Sequence, residues 1–176
     1  TVLANVQDAV GDTMNKGSIY VHGSSGDATG YAMRGGKIFV EGNAGYRAGI
    51  HMKEYKDKLP VIVVGGSVGS FLGEYQAGGI IIVLGLNAVN DPPVGYFCAT
   101  GMYGGKIYLR CNNLPFDLPS QVNAQTAGKD DMKEIEGYIE EFCSEFNMNM
   151  REIMSHNFNI LTPNTQNQYK QLYIDN

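Results

Sequence analysis

Gly17-Ser-Ile-Tyr-Val-His-Gly23, Gly36-Lys-Ile-Phe-Val-Glu-Gly42, Pro60-Val-Ile-Val-Val-Gly-Gly66, Gly79-Ile-Ile-Ile-Val-Leu-Gly85 and Gly105-Lys-Ile-Tyr-Leu-Arg-Cys111 are one phrase written five times. The closing residues, Gly23, Gly42, Gly66, Gly85 and Cys111, are spaced by 19, 24, 19 and 26 residues. That is a period of 19 with insertions of five and seven. A fixed period of this size marks a repeat architecture. Within each phrase two apolar residues stand two apart: Ile19 and Val21, Ile38 and Val40, Ile62 and Val64, Ile81 and Val83, Ile107 and Leu109. Alternation of this kind puts both on one face of a β-strand. The opposite face is polar in some repeats (Tyr20, His22, Glu41, Arg110) and apolar in others (Val63, Ile82, Leu84).

A second frame follows each phrase: Gly26 and Gly30, Gly45 and Gly49, Gly69 and Gly73, then Gly95 and Ala99. Glycine suits a chain that turns a corner in every repeat. Stacked turns would bury a common Ile/Val stripe, each repeat touching only its neighbours. The pattern predicts a mainly β protein: a single-stranded, right-handed parallel β-helix over residues 1–111, with residues 1–16 as a lead-in. The charged insertion at Glu54 to Lys58 reads as a solvent-facing loop. Asn90-Asp91-Pro92-Pro93 is a turn signal.

The composition changes after Cys111. Of 23 glycines, 21 lie before residue 112. Residues 1–111 carry nine basic and eight acidic groups, whereas residues 112–176 carry four and ten. Residues 112–128, with Pro115 and Pro119, read as a linker, and residues 129–176 as a helical appendage with a tail. Met132, Ile135, Tyr138, Ile139, Phe142 and Phe146 recur at helical spacing, with Asp130 or Asp131 as N-cap. A shorter helix is expected around Met150 to His156, ended by Pro163. The helical region could cap an open end of the coil, or it could be an arm for a partner. The main helix is expected to cover the chain's own coil. Asn164 to Asn176, with Tyr169, Leu172 and Tyr173, is expected to reach another polypeptide.

Composition excludes several classes. A net charge of −5 gives no basic face for nucleic acid. No apolar run is long enough to span a bilayer. No signal peptide is visible, although a start at Thr1 leaves room for an upstream stretch. Three widely spaced cysteines do not form a disulfide framework and fit a cytoplasmic protein.

No catalytic constellation emerges. The glycines recur in every repeat, which a single phosphate-binding loop would not do, and no phosphate-loop or dinucleotide motif is present. Thr1 sits in no context for an N-terminal nucleophile. Cys98 shares a column with Thr29, Ala48 and Leu72 and reads as core, while Cys111 replaces a turn glycine and Cys143 lies on the helix. None shares metal-ligand spacing with His22, His51 or His156. Glu41 and Glu74 fall in different columns, so no carboxylate pair for glycoside cleavage stands out. Met33, Met52 and Met102, with Gln76 as the exception, read as core packing. No catalytic, cofactor-binding or metal residue is assigned.

Two runs carry a family resemblance. Gly73-Glu-Tyr-Gln-Ala-Gly-Gly-Ile-Ile-Ile-Val-Leu-Gly85 and Gly101-Met-Tyr-Gly-Gly-Lys-Ile-Tyr-Leu109 resemble the C-terminal GXGXG domain of glutamate synthase. Met33-Arg-Gly-Gly-Lys-Ile38 and Tyr169-Lys-Gln-Leu-Tyr173 are similar to the separately encoded form found in archaea and some bacteria. The resemblance spans residues 5–175. It implies a non-catalytic subunit of an enzyme that makes glutamate from glutamine and 2-oxoglutarate. The implied partners are a glutaminase-type subunit and an FMN-binding synthase subunit that also bears iron–sulfur clusters, with this chain holding no cofactor itself. Homo-oligomerisation is compatible with it. The alternative is a chain similar to the β-helical subunit of formylmethanofuran dehydrogenase. A free-standing sugar-active β-helix lacks its carboxylates here.

Overall fold

In a computed structural model, which describes residues 1–164, the chain is mainly β, with one seven-stranded sheet and two short helices. The strands are β1 (Ser18–Val21), β2 (Gly36–Val40), β3 (Pro60–Val64), β4 (Ala77–Val83), β5 (Gly104–Arg110), β6 (Val122–Thr126) and β7 (Phe158–Pro163). The helices are α1 (Lys129–Phe146) and α2 (Met150–Met154). The sheet order is β1-β2-β3-β4-β5-β7-β6.

Strands β1 to β5 are the five written phrases, and they pair in parallel and in register. Ile19, Ile38, Ile62, Ile81 and Ile107 stand side by side, as do Val21, Val40, Val64, Val83 and Leu109. Except for the partly covered Ile19, all of these are buried in one cluster. A second line of isolated parallel bridges joins Ser25, Ala44, Val68 and Val94. The columns Ala48, Leu72, Cys98 and Met33, Met52, Met102 complete the cluster. Gln76 takes the methionine column's exceptional place, and its amide nitrogen donates to the Gly79 carbonyl at 3.1 Å.

Close packing explains the glycine column. A Cβ on Gly30 would lie 2.4 Å from Ile62 Cδ1, one on Gly49 2.4 Å from Ile81 Cδ1, and one on Gly73 2.6 Å from Ile107 Cδ1. Each glycine faces the isoleucine of the second strand ahead. The last turn has Ala99 in this place, at φ 60°. Among the described residues no further parallel strand follows β5, so no isoleucine stands over it.

The other sheet face is covered by α1. Phe39, Val63, Ile82 and Tyr108 bury against Ile135, Ile139, Phe142 and Phe146 of the helix. Glutamates on α1 then clamp its edge to the strands. Glu134 accepts from Lys106 Nζ at 2.7 Å and from the Tyr108 hydroxyl at 2.5 Å. Glu141 accepts from the Tyr20 hydroxyl at 2.7 Å and from Lys37. Glu145 meets His22 Nε2 at 3.1 Å. This is why the outward strand face is mixed: the central positions are apolar under the helix, and the flanking ones meet its carboxylates.

Three details differ from the sequence reading. The α1 N-cap is Gly128, whose N–H donates to Asp131 Oδ2 at 2.8 Å, so Asp131 is the third residue of the helix, within its first turn. Within residues 112–128, read as linker, lies β6. The shorter helix, expected around Met150 to His156 and ended by Pro163, stops at Met154, and the stretch up to Pro163 is β7. Strand β7 pairs antiparallel with both β5 and β6. The edge of β5 is a row of unpaired N–H and C=O groups, which another strand can satisfy and a helix cannot. A strand therefore finishes the parallel array, while α1 covers its face. The expected partner-seeking stretch with Tyr169, Leu172 and Tyr173 lies outside the described residues. No helix among the described residues is long and apolar enough to cross a membrane.

Gly49→Ala is expected to lower the urea unfolding midpoint by an amount equivalent to about 2 kcal/mol, since it adds overpacking to a left-handed backbone. Ile81→Val removes the colliding Cδ1, so it should cost clearly less in the Gly49→Ala background than alone. Equal costs in both backgrounds would show that the isoleucine does not exclude the side chain.

The helix clamp makes an alkaline prediction. The hydrogen bond to Glu141, followed by burial, pushes the Tyr20 hydroxyl above its ordinary value. Burial and then Glu134 do the same to Tyr108. The folded state thus keeps protons that unfolded tyrosines release above pH about 10. This stability is present below that pH and is lost as pH rises toward the folded values. The Tyr20→Phe, Tyr108→Phe variant should be less stable at neutral pH. Its melting temperature should also fall less steeply from pH 9 to 11. An unchanged alkaline slope in that variant would refute the clamp as the source.

Candidate docking face

Every turn between parallel strands places three residues in the left-handed region, two apart: Ala28, Gly30 and Ala32; Arg47, Gly49 and His51; Phe71, Gly73 and Tyr75; Phe97, Ala99 and Gly101. In the first three turns the middle glycine faces a core isoleucine. The flanking two point outward, and non-glycine residues at positive φ carry backbone strain there. In the later repeats these strained positions hold rings.

The rings stack along the array. Phe71 and Phe97 lie 5.0 Å apart between centroids, with the Arg47 guanidinium carbon 5.2 Å from the Phe71 centroid. Arg47 Nε donates to Glu74 Oε2 at 3.1 Å, which fixes the guanidinium over the ring. On the other side of the glycine column, His51 stacks on Tyr75 at 5.3 Å and meets Tyr31 edge-on at 6.1 Å. Tyr96 touches both Phe97 and Phe116. The Phe97 N–H donates to Asp117 Oδ2 at 2.6 Å, which holds the segment after β5 against this corner. A cleft of about 380 Å³ runs between Tyr96 and Phe116, with Pro92, Pro115 and Asp117 on its walls.

These rings are open to solvent. Tyr31 and Tyr75 are each 40% exposed, Tyr96 59%, Phe97 51% and Phe116 85%. Contiguous exposed apolar surface is the mark of an interaction site. Aromatic residues and arginine are also the types enriched at protein interfaces.

Of the residues singled out for chemistry, only His51 and Glu74 belong to this face. Cys98 is in the core, and burial pushes its thiol up to about 12, so it is no nucleophile at neutral pH. Cys143 is buried on the inner side of α1, and its thiol is raised by burial. Glu41 faces His22 at 3.8 Å while Glu74 holds Arg47, so the two carboxylates serve different partners. Met33, Met52 and Met102 are fully buried core. His51 sits in the aromatic stack.

Cys111 and His156 are brought to one polar cleft of about 150 Å³, with Asp91 and Arg110. There Arg110 donates to the Leu84 carbonyl at 3.0 Å and the Ile153 carbonyl at 3.2 Å. Asp91 accepts from the Asn112 and Asn113 N–H groups. Burial raises the Cys111 thiol, and the Asn159 amide donates to its sulfur at 3.5 Å. Among the described residues no three His, Cys, Asp or Glu side chains converge as a metal site.

The aromatic columns were not singled out in the sequence. Their signal was present as a large side chain two residues from the column glycine: Arg47 and His51 around Gly49, Phe71 and Tyr75 around Gly73, and Phe97 before Ala99.

The comparisons with known proteins agree with the repeat. The uncharacterized protein MJ1350 of Methanocaldococcus jannaschii is 44% identical over 102 residues, covering 56% of this chain and 39% of that protein. The chain thus spans about two fifths of that relative's length. The family model described as the GXGXG motif matches residues 1–168. Over nearly its whole length, then, the chain belongs to the GXGXG motif family, the family of the glutamate synthase C-terminal domain.

Proposed function

We propose that this chain is a non-catalytic scaffold subunit of a glutamate synthase. In this reading the five in-register strands and the bridge column form a right-handed parallel β-helix. It sets the spacing of a glutaminase-type polypeptide and an FMN-binding synthase polypeptide that carries the iron–sulfur clusters. Reaction chemistry stays in those partners, in the cytoplasm, and this chain supplies shape and surface.

The exposed aromatic face carries the reading. A scaffold works through surfaces that lose water when partners dock. Each large ring there can contribute roughly 1.5–3 kcal/mol on burial. Left-handed positions hold His51, Phe71, Tyr75 and Phe97 at fixed spacing, so little ordering of these rings remains to be done at association. The family match supports the identity of the enzyme.

The test is co-purification of the chain with the two candidate partners, followed by an assay of glutamine-dependent glutamate formation. Phe97→Ala together with Tyr96→Ala should weaken association by about tenfold or more, as removal of interface anchors does. The melting temperature of the isolated chain should stay nearly unchanged, because both rings are half exposed. Undiminished assembly by this variant would refute the face as the docking surface. Glutamate formation at full rate by the two partners without this chain would refute the scaffold role itself.

A further inference from the structure

A trough of about 450 Å³ opens beside α1, lined by Asn15, Lys16, Lys37, Lys58, Leu59 and Tyr138. The strand register makes it. Ser18 stands opposite Lys37, and Gly36 opposite Pro60. One or two residues back, Lys16 and Leu59 therefore flank Gly35, where the backbones pack too closely for any side chain. A Cβ on Gly35 would lie 2.6 Å from the Asn15 carbonyl oxygen and 2.8 Å from Lys58 Cβ. The gap is thus built by tight backbone packing beneath and by basic residues from successive repeats around it.

The charge here is unbalanced. Lys37 is neutralised by Glu141, which also accepts from Tyr20. Lys16 and Lys58 form no ion pair among the described residues. The Lys58 ammonium stands only 6.0 Å from the Tyr55 ring centroid. Two cations without a carboxylate partner at the rim of one trough favour an anionic occupant. Between them lies apolar surface: Leu59 is 37% exposed, above buried Val61.

The nature of the donors selects among anions. Tight capture of a small anion needs convergent, fixed donors. Here the ammonium groups end long, flexible stems over an open trough. That arrangement matches carboxylates spread along a chain, with an apolar side chain between them. We infer that this trough is a docking site for an acidic polypeptide segment. Its carboxylates lie against Lys16 and Lys58, and its apolar side chain rests on Leu59 and Tyr138. The site is separate from the aromatic face and does not rest on the function proposed above.

The probe is a labelled glutamate-rich peptide with one central leucine, titrated into the full chain and followed by fluorescence anisotropy. Amide shifts of the wild-type protein at Gly17, Gly36 and Tyr138 are read in parallel. Saturable binding that weakens with added salt is expected, with shifts centred on these residues. Lys16→Ala with Lys58→Ala should weaken binding about fivefold or more. Lys129→Ala with Lys133→Ala, which removes the same charge elsewhere, should not. Equal weakening by both pairs would overturn the inference in favour of unspecific attraction. Saturable shifts at the same amides with inorganic phosphate, at matched ionic strength, would overturn it in favour of a small-anion site. Loss of self-association in the Lys16→Ala, Lys58→Ala variant by sedimentation, with no peptide binding to wild type, would overturn it in favour of a second copy as the occupant.

Discussion

Isoleucine against bare glycine backbone, repeated from strand to strand, is the contact on which the rest of this structure depends. Ile62, Ile81 and Ile107 each reach two strands back to a turn glycine, at a distance no Cβ would permit. Interiors are packed as densely as organic crystals, so such a contact tolerates almost no change in volume. It fixes the height of each repeat, and through that the register of all five parallel strands. The columns of Asn, Ser and Asp at the corners follow from the same register. Asn5 Oδ1 accepts from the Ser24 N–H, Ser24 Oγ from Asn43, and Asn43 Oδ1 from Ser67. Were the register to slip, these side chains would no longer meet the N–H groups of the next repeat.

Register also decides what the outer sheet face can do. One helix crosses several strands at once, so only the central outward positions fall beneath its apolar stripe. Phe39, Val63, Ile82 and Tyr108 are those positions. Beyond the stripe the helix offers glutamates, and the strands answer with Lys37, Lys106, Tyr20 and His22. Exposed ion pairs of this kind contribute little each. Their value is directional, because they fix where along the strands the helix sits.

The five strands, their inward columns and the covering helix were legible in the sequence, because period-two and helical spacing are local signals. The closing strands were not. Val122–Thr126 and Phe158–Pro163 are short, carry few alternating apolar residues and lie far apart in the chain. Only the unpaired edge of β5 gives them a reason to be strands, and an edge is a property of the assembled sheet. The N-cap was misplaced for a related reason. Asp131 does bond a free helix-end N–H, but from inside the first turn. The aromatic face was half legible. Its rings keep a constant offset from the column glycine, yet a ring in sequence does not say whether it faces core or solvent. That became clear only once the left-handed backbone at Arg47, Phe71 and Phe97 was seen to turn these side chains outward.

Ala99 gives the array a counting rule. The four earlier positions in its column are Gly11, Gly30, Gly49 and Gly73, each under an isoleucine of a later strand. Ala99 is free of that demand because β7 runs the other way and closes the series. A copy of one repeat inserted after β5 would set a new isoleucine above its methyl group and would have no edge to join. Lengthening by duplication is therefore open only upstream, where every turn already carries glycine. A single methyl group records which repeat is last, and with it how long the parallel array can grow.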